Sequence, residues 1–109
     1  MNIQETALQY FDAFQSRDID RVRAFFAESI TLRDWEIDAK GLAAVVQANQ
    51  QIFNSVKSIS VSARKVIGQG DTVFAELDIV IDGSISLRVV DIIEFDASGS
   101  IVAIRAFKG

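Results

Sequence analysis

The stretch Ile85-Ser86-Leu87-Arg88-Val89-Val90-Asp91-Ile92-Ile93-Glu94-Phe95 decides the fold. Ile85, Leu87, Val89, Asp91, Ile93 and Phe95 fall on one face of an extended chain, and Ser86, Arg88, Val90, Ile92 and Glu94 on the other. A period of two sustained over that length predicts a strand, 85–96, with one face against a core. Asp91 stands in an otherwise apolar row. Burial strips an ionised carboxylate of its hydration, so the group must find a partner or raise its pKa and stay protonated. Two readings are open: an ion pair with Arg105, which shares a parity with Ile101, Ala103 and Phe107 on the next strand, or a neutral acid.

The same period extends outward from this strand. It predicts further strands at 57–67, 72–82 and 100–108, separated by the turn-forming stretches Gly68-Gln69-Gly70-Asp71, Asp82-Gly83-Ser84 and Asp96-Ala97-Ser98-Gly99. No proline occurs, and consecutive strands are expected to pair antiparallel as hairpins. The last strand is apolar on both faces, Ile101, Ala103 and Phe107 against Val102, Ile104 and Ala106. Two apolar faces need two covers, which predicts helices on one and a second subunit on the other, a homodimer through the outer sheet face.

Upstream the period lengthens to that of a helix. Ala7, Leu8, Tyr10, Phe11 and Phe14 recur at helical spacing opposite Gln4, Glu5, Gln9, Asp12 and Gln15, a helix over 3–16. Asp18 suits the N-cap of a second helix with Ile19, Val22, Phe25 and Phe26 inward, the two meeting at a turn around Arg17. Ile30-Thr31-Leu32-Arg33 reads as a short strand. A charged connection, Asp34 to Lys40, ends at Gly41, and a third helix runs over 42–54. Helices followed by strands give an α+β fold in one domain, 1–109, with three helices on one curved antiparallel sheet.

Composition narrows the chemistry. Fifteen acidic residues against eleven basic give a net charge of −4, unsuited to nucleic acid or an anionic membrane surface. With neither cysteine nor histidine, thiol nucleophiles, thiolate metal sites and the commonest general base are excluded. The aspartates are too dispersed to suggest a metal site. Residues 1–5 do not resemble a charged leader, and the longest wholly apolar run is Leu42–Val46, so a soluble, cytoplasmic protein is expected.

Three further residues stand out. Tyr10, the single tyrosine, is either a core aromatic or a hydroxyl donor, since its ring packs while its oxygen needs a partner. Asp34, just past a strand, is a turn carboxylate or a base. Trp35, the single tryptophan, is placed to roof a pocket or to pack at a sheet edge or subunit contact.

The run Tyr10-Phe11-Asp12-Ala13-Phe14 to Asp18-Ile19-Asp20, then Phe25-Phe26-Ala27-Glu28, Asp34-Trp35-Glu36, Gly41, Val90-Asp91-Ile92-Ile93-Glu94-Phe95, Gly99-Ser100-Ile101 and Arg105-Ala106-Phe107 resembles the nuclear transport factor 2-like superfamily, in particular its SnoaL-like and ketosteroid isomerase-like members. The resemblance implies a cone-shaped, curved antiparallel (mixed) sheet with three N-terminal helices on its concave face. It also implies an apolar small-molecule ligand. The catalytic set of ketosteroid isomerase, a tyrosine on the first helix, an aspartate base after the first strand and an aspartic acid on a central strand, falls on Tyr10, Asp34 and Asp91. The pocket implied is lined by Phe14, Trp35, Asn49, Val89 and Arg105.

By that likeness the chain is a cofactor-free isomerase or cyclase acting on a small apolar carbonyl compound, without a metal; a non-catalytic binding or dimerisation domain of the same fold is the alternative. The sequence also departs from the pattern. No second tyrosine supports Tyr10, and Asn49 stands near a supporting position. Trp35 follows the base where the steroid enzyme has proline. Dehydratase and cyclase types that use histidine lack it here. The Arg-x-Asp arrangement of the epoxide hydrolases is missing too, Arg88 and Asp91 being three apart.

Overall fold

Helix α1, Ile3–Gln15, starts where the Asn2 side chain accepts the Glu5 N–H at 3.0 Å, and it turns Ala7, Tyr10, Phe11 and Ala13 inward. These and the following details come from a computed structural model describing residues 2–109. Arg17 takes a positive φ of 55° at the turn, and its guanidinium donates to the Val56 carbonyl at 2.8 Å, tying the turn to the end of the third helix.

The second helix, α2, Ile19–Ala24, is capped by Asp18 as expected but stops short of Phe25 and Phe26. Tertiary pairing outweighs their helical spacing. Phe25 caps the helix in a helical conformation while its carbonyl accepts the Ile101 N–H at 2.8 Å, and Phe26 pairs with Ile101 and starts the sheet. Strand β1 therefore runs Phe26–Arg33, longer than the expected 30–33. The charged connection after it also holds a strand, β2, Asp38–Lys40, folded back on β1 by a turn in which the Asp34 N–H meets the Ile37 carbonyl at 2.9 Å. Gly41, at φ 90°, leads into α3, Leu42–Ser55.

Strands β3, Ile59–Gln69, β4, Thr72–Ile81, β5, Ile85–Phe95, and β6, Ile101–Lys108, form the antiparallel meander. Asp82 and Gly83 both have positive φ in the three-residue connection Asp82–Ser84, which is closed by the Ser84 N–H donating to the Ile81 carbonyl at 3.1 Å. Asp82 also accepts the N–H groups of Lys57 and Ser58 at 2.6 and 3.2 Å, fixing the start of β3 to the hairpin tip. The sheet order is β2-β1-β6-β5-β4-β3, with β1 and β6 parallel and every other neighbouring pair antiparallel. The result is a six-stranded, mixed, curved and unclosed sheet with three helices, an α+β fold.

Irregularities in β3 and β6 bend the strands. The one in β6 changes the residue reading. Phe95 faces Ile101 but Glu94 faces Ala103, so Val102 is an extra residue and parity reverses there. Ile101 points inward before it, Ile104 and Ala106 after it, and Arg105 outward. The core lies between the concave face and the helices, with Val22, Ile30, Val45, Val73, Ile93 and Ile101 fully enclosed. Among the described residues no helix is long and apolar enough to cross a membrane.

Ile93→Ala should cost roughly 2–5 kcal/mol, since an enclosed side chain leaves a cavity, whereas Asp18→Ala should cost only about 1 kcal/mol through loss of a cap. Denaturant melts of the two variants check the ordering; equal losses would contradict this placement of the core.

Candidate functional site

Between α1, α3 and the concave face lies a cavity of about 150 Å³. Leu32, Val61, Leu77, Ile79, Val89 and Ile104 supply apolar wall, while Tyr10, Asp34, Asn49 and Asp91 supply polar groups. A mostly apolar concavity with a few convergent polar groups is the usual form of a small-molecule site.

The Tyr10 side chain is fixed by aromatic packing. The rings of Phe11, Phe25 and Phe26 lie 5.8 to 5.9 Å from its own, and that of Phe14 lies 6.3 Å away. The residue is 4% exposed. Burial, and then the charge of Asp91, push its pKa up, so the phenol keeps its proton.

Asp91 sits between two alanines. Ala75 faces it across β4 and Ala106 across β6, so neither neighbouring strand offers a donor and both leave room around the carboxyl. Burial comes first and the charge of Asp34 second in pushing its pKa up to about 7. No hydrogen bond or cation contributes to either shift, and among the described residues no fully enclosed side-chain N or O lacks a partner. The polar atoms of Tyr10 and Asp91 therefore open onto the cavity.

Asp34 reaches the cavity from the β1–β2 turn. Its Oδ1 accepts the Glu36 and Ile37 N–H groups at 2.7 and 2.6 Å, which hold the carboxylate in place. The turn reading is thus correct for one oxygen. Trp35 lines the cavity while 43% exposed, and the Lys108 ammonium lies 5.4 Å from its ring centroid. Asn49, 2% exposed, donates from Nδ2 to the Val45 carbonyl at 3.0 Å. Phe14 and Val89 complete the residues expected from sequence.

Arg105 is the exception. The extra residue Val102 turns it to the outer face, where it pairs with Glu94, and its place in the cavity wall is taken by Ala106. Of the two readings of Asp91, the ion pair with Arg105 is not formed, because the two side chains lie on opposite faces of the sheet. Ala106 was legible only with the bulge in view. Leu77, Ile79 and Val61 follow from the alternation of β3 and β4 alone. Among the described residues no group of three or more His, Cys, Asp or Glu side chains is placed to hold a metal ion.

The cavity thus combines a carboxyl that titrates near neutrality, a phenol that keeps its proton and a second carboxylate held by a turn. Such a set can donate two hydrogen bonds to one developing negative oxygen and move a proton beside it.

Several solved structures share this architecture. A candidate ketosteroid isomerase from Kribbella flavida superposes with a TM-score of 0.85 at 17% identity over 98% of this chain and 77% of its own. An epoxide hydrolase/cyclase-like enzyme of pyran ring formation in the polyether salinomycin gives 0.86 at 18% identity over 98% and 90%. An NTF2-like protein of unknown function from Cytophaga hutchinsonii gives 0.84 at 12% identity over 100% and 91%. At these identities the likeness carries the fold alone. No curated protein matches the chain in sequence. The model of the SnoaL-like domain matches residues 7–104, nearly the whole chain, and with the helices on a curved mixed sheet it places the chain in the SnoaL-like domain family of the NTF2-like superfamily.

Proposed function

We propose that the protein is a cofactor-free isomerase acting on a small apolar carbonyl compound. What supports this most is the convergence of Tyr10, Asp34 and Asp91 on one apolar cavity, with Asp91 unpaired. Asp34, through the oxygen not held by the Glu36 and Ile37 amides, takes a proton from the carbon next to the carbonyl. The electron pair moves onto the carbonyl oxygen, which accepts hydrogen bonds from the Tyr10 hydroxyl and protonated Asp91. Asp34 then returns the proton to a carbon further along the enolate, so nothing is consumed. The same acid and base would serve a ring closure. A non-catalytic binding domain is the second reading, favoured by the structural work that Asp34 already does in its turn.

Proton exchange separates the two. In D2O, a simple cyclic β,γ-enone should isomerise and take up deuterium. Asp34→Asn retains an oxygen for the turn amides and should slow this about 10²–10⁴-fold. Tyr10→Phe should slow it roughly 10²-fold. Exchange read by NMR that is equal for wild type and Asp34→Asn would leave the binding domain in possession.

Stability against pH tests the neutral acid. The folded pKa of Asp91, about 7, lies above the unfolded value near 4, so the native state binds the extra proton. The group costs nothing below the unfolded value, becomes unfavourable as pH rises towards 7, and is fully so above it. Asp91→Asn should therefore gain on wild type from pH 4 to 8, by up to about 4 kcal/mol. A variant that loses ground as pH rises would contradict the unpaired carboxyl.

The outer face supports a homodimer. Ile67 and Phe74 are cross-strand partners there, as are Val90 and Phe107, and all four are 37 to 57% exposed. Light scattering at micromolar concentration should give a dimer, and Phe107→Glu a monomer; a monomeric wild type overturns the pairing.

A further inference from the structure

Asn49 carries an unused acceptor. Its Nδ2 is engaged by the Val45 carbonyl, which fixes the amide orientation, because the reverse placement would set two oxygens against each other. Its Oδ1 has no donor among the described residues. Yet the residue is 98% covered, and no fully enclosed polar atom among the described residues lacks a partner. The oxygen is therefore accessible only through the cavity that Asn49 lines.

An amide oxygen turned into an apolar cavity is costly against a ligand surface that cannot donate, and favourable against one that can. Tyr10 is a donor and Asp91, when protonated, is another, so the three side chains ask for opposite things: an acceptor at one part of the ligand and a hydroxyl or N–H at another. Size adds a second constraint. An apolar cavity of about 150 Å³ takes up benzene, a single ring. The volume here is about the same, 150 Å³, in a cavity open on one side.

We infer that the ligand held in this cavity is a single-ring-sized carbonyl compound bearing a separate hydroxyl or N–H group, which donates to Asn49 Oδ1. The inference rests on the oxyanion role proposed above for Tyr10 and Asp91, and it makes Asn49 a specificity-setting residue of the same cavity.

Calorimetric titration with small aromatic probes tests it. Toluene against phenol reads the Tyr10 and Asp91 donors. Each of the three dihydroxybenzenes against the cresol of the same geometry reads Asn49, since a methyl group replaces a hydroxyl at nearly constant size. Phenol should bind better than toluene, and at least one dihydroxybenzene should bind ten-fold or more tightly than its cresol. In Asn49→Leu that second preference should vanish or reverse, while the phenol preference over toluene remains.

If phenol beats toluene but no dihydroxybenzene beats its cresol, or if the preference survives in Asn49→Leu, the role of Asn49 is overturned and the oxyanion site stands. If phenol binds no better than toluene, the oxyanion site falls, and the inference with it. Naphthols binding as tightly as the single-ring phenols would overturn the size limit.

Discussion

A carboxyl enclosed in a sheet face without a partner is the constraint around which this protein is organised. Asp91 can be there because Ala75 and Ala106 flank it, small enough to leave space and unable to donate a hydrogen bond. A larger pair would fill the cavity, and a cationic pair would fix the carboxylate as an ion. The aromatic packing around Tyr10 and the turn around Asp34 bring the other two groups to the same space, each from an element anchored elsewhere. The cavity is thus what a curved sheet and three short helices leave unfilled, with its polar groups set at the rim of that gap.

Much of the fold was legible because its period was unbroken. β5 alternates over its whole length, and its neighbours are joined by turns whose residues demand positive φ at Asp82, Gly83 and Gly99. The site residues on regular stretches followed: Tyr10 on a helix face, Asp91 and Val89 on a strand face. What was not legible depended on pairing across the chain. Phe26 has helical spacing and is drawn into the sheet by Ile101, so that the helix ends with Phe25 as its cap. Three residues of a charged connection form β2 because the Asp34 turn folds them back onto β1. Arg105 was misplaced by one extra residue, and period-two reasoning has no defence against a bulge, which inverts every assignment after it.

Charge is arranged to keep the outside of the sheet ordered without touching the site. Arg88 and Arg64 both meet Asp78, and Arg105 meets Glu94, all on the convex side. These pairs are half exposed, where an ion pair contributes about 0–1 kcal/mol. They flank the apolar strip of Ile67, Phe74, Val90 and Phe107, on the face of the sheet opposite Asp91.

The parallel pairing of β1 with β6 also bears on how the molecule folds. The hairpins from β3 to β6 join neighbours in sequence and close quickly, whereas Thr31 meets Ala103 across most of the chain, a closure that is entropically costly until other contacts offset it. β6 lies between β1 and β5, so it is the strand that brings the Asp34 turn up to Asp91. Helices and meander rest on local contacts, but the space between the two aspartates exists only where β1 and β6 are paired. The cavity therefore depends on a contact between the two ends of the chain, and a chain lacking residues 101–108 would keep all of Tyr10, Asp34 and Asp91 without the strand that brings the two aspartates together.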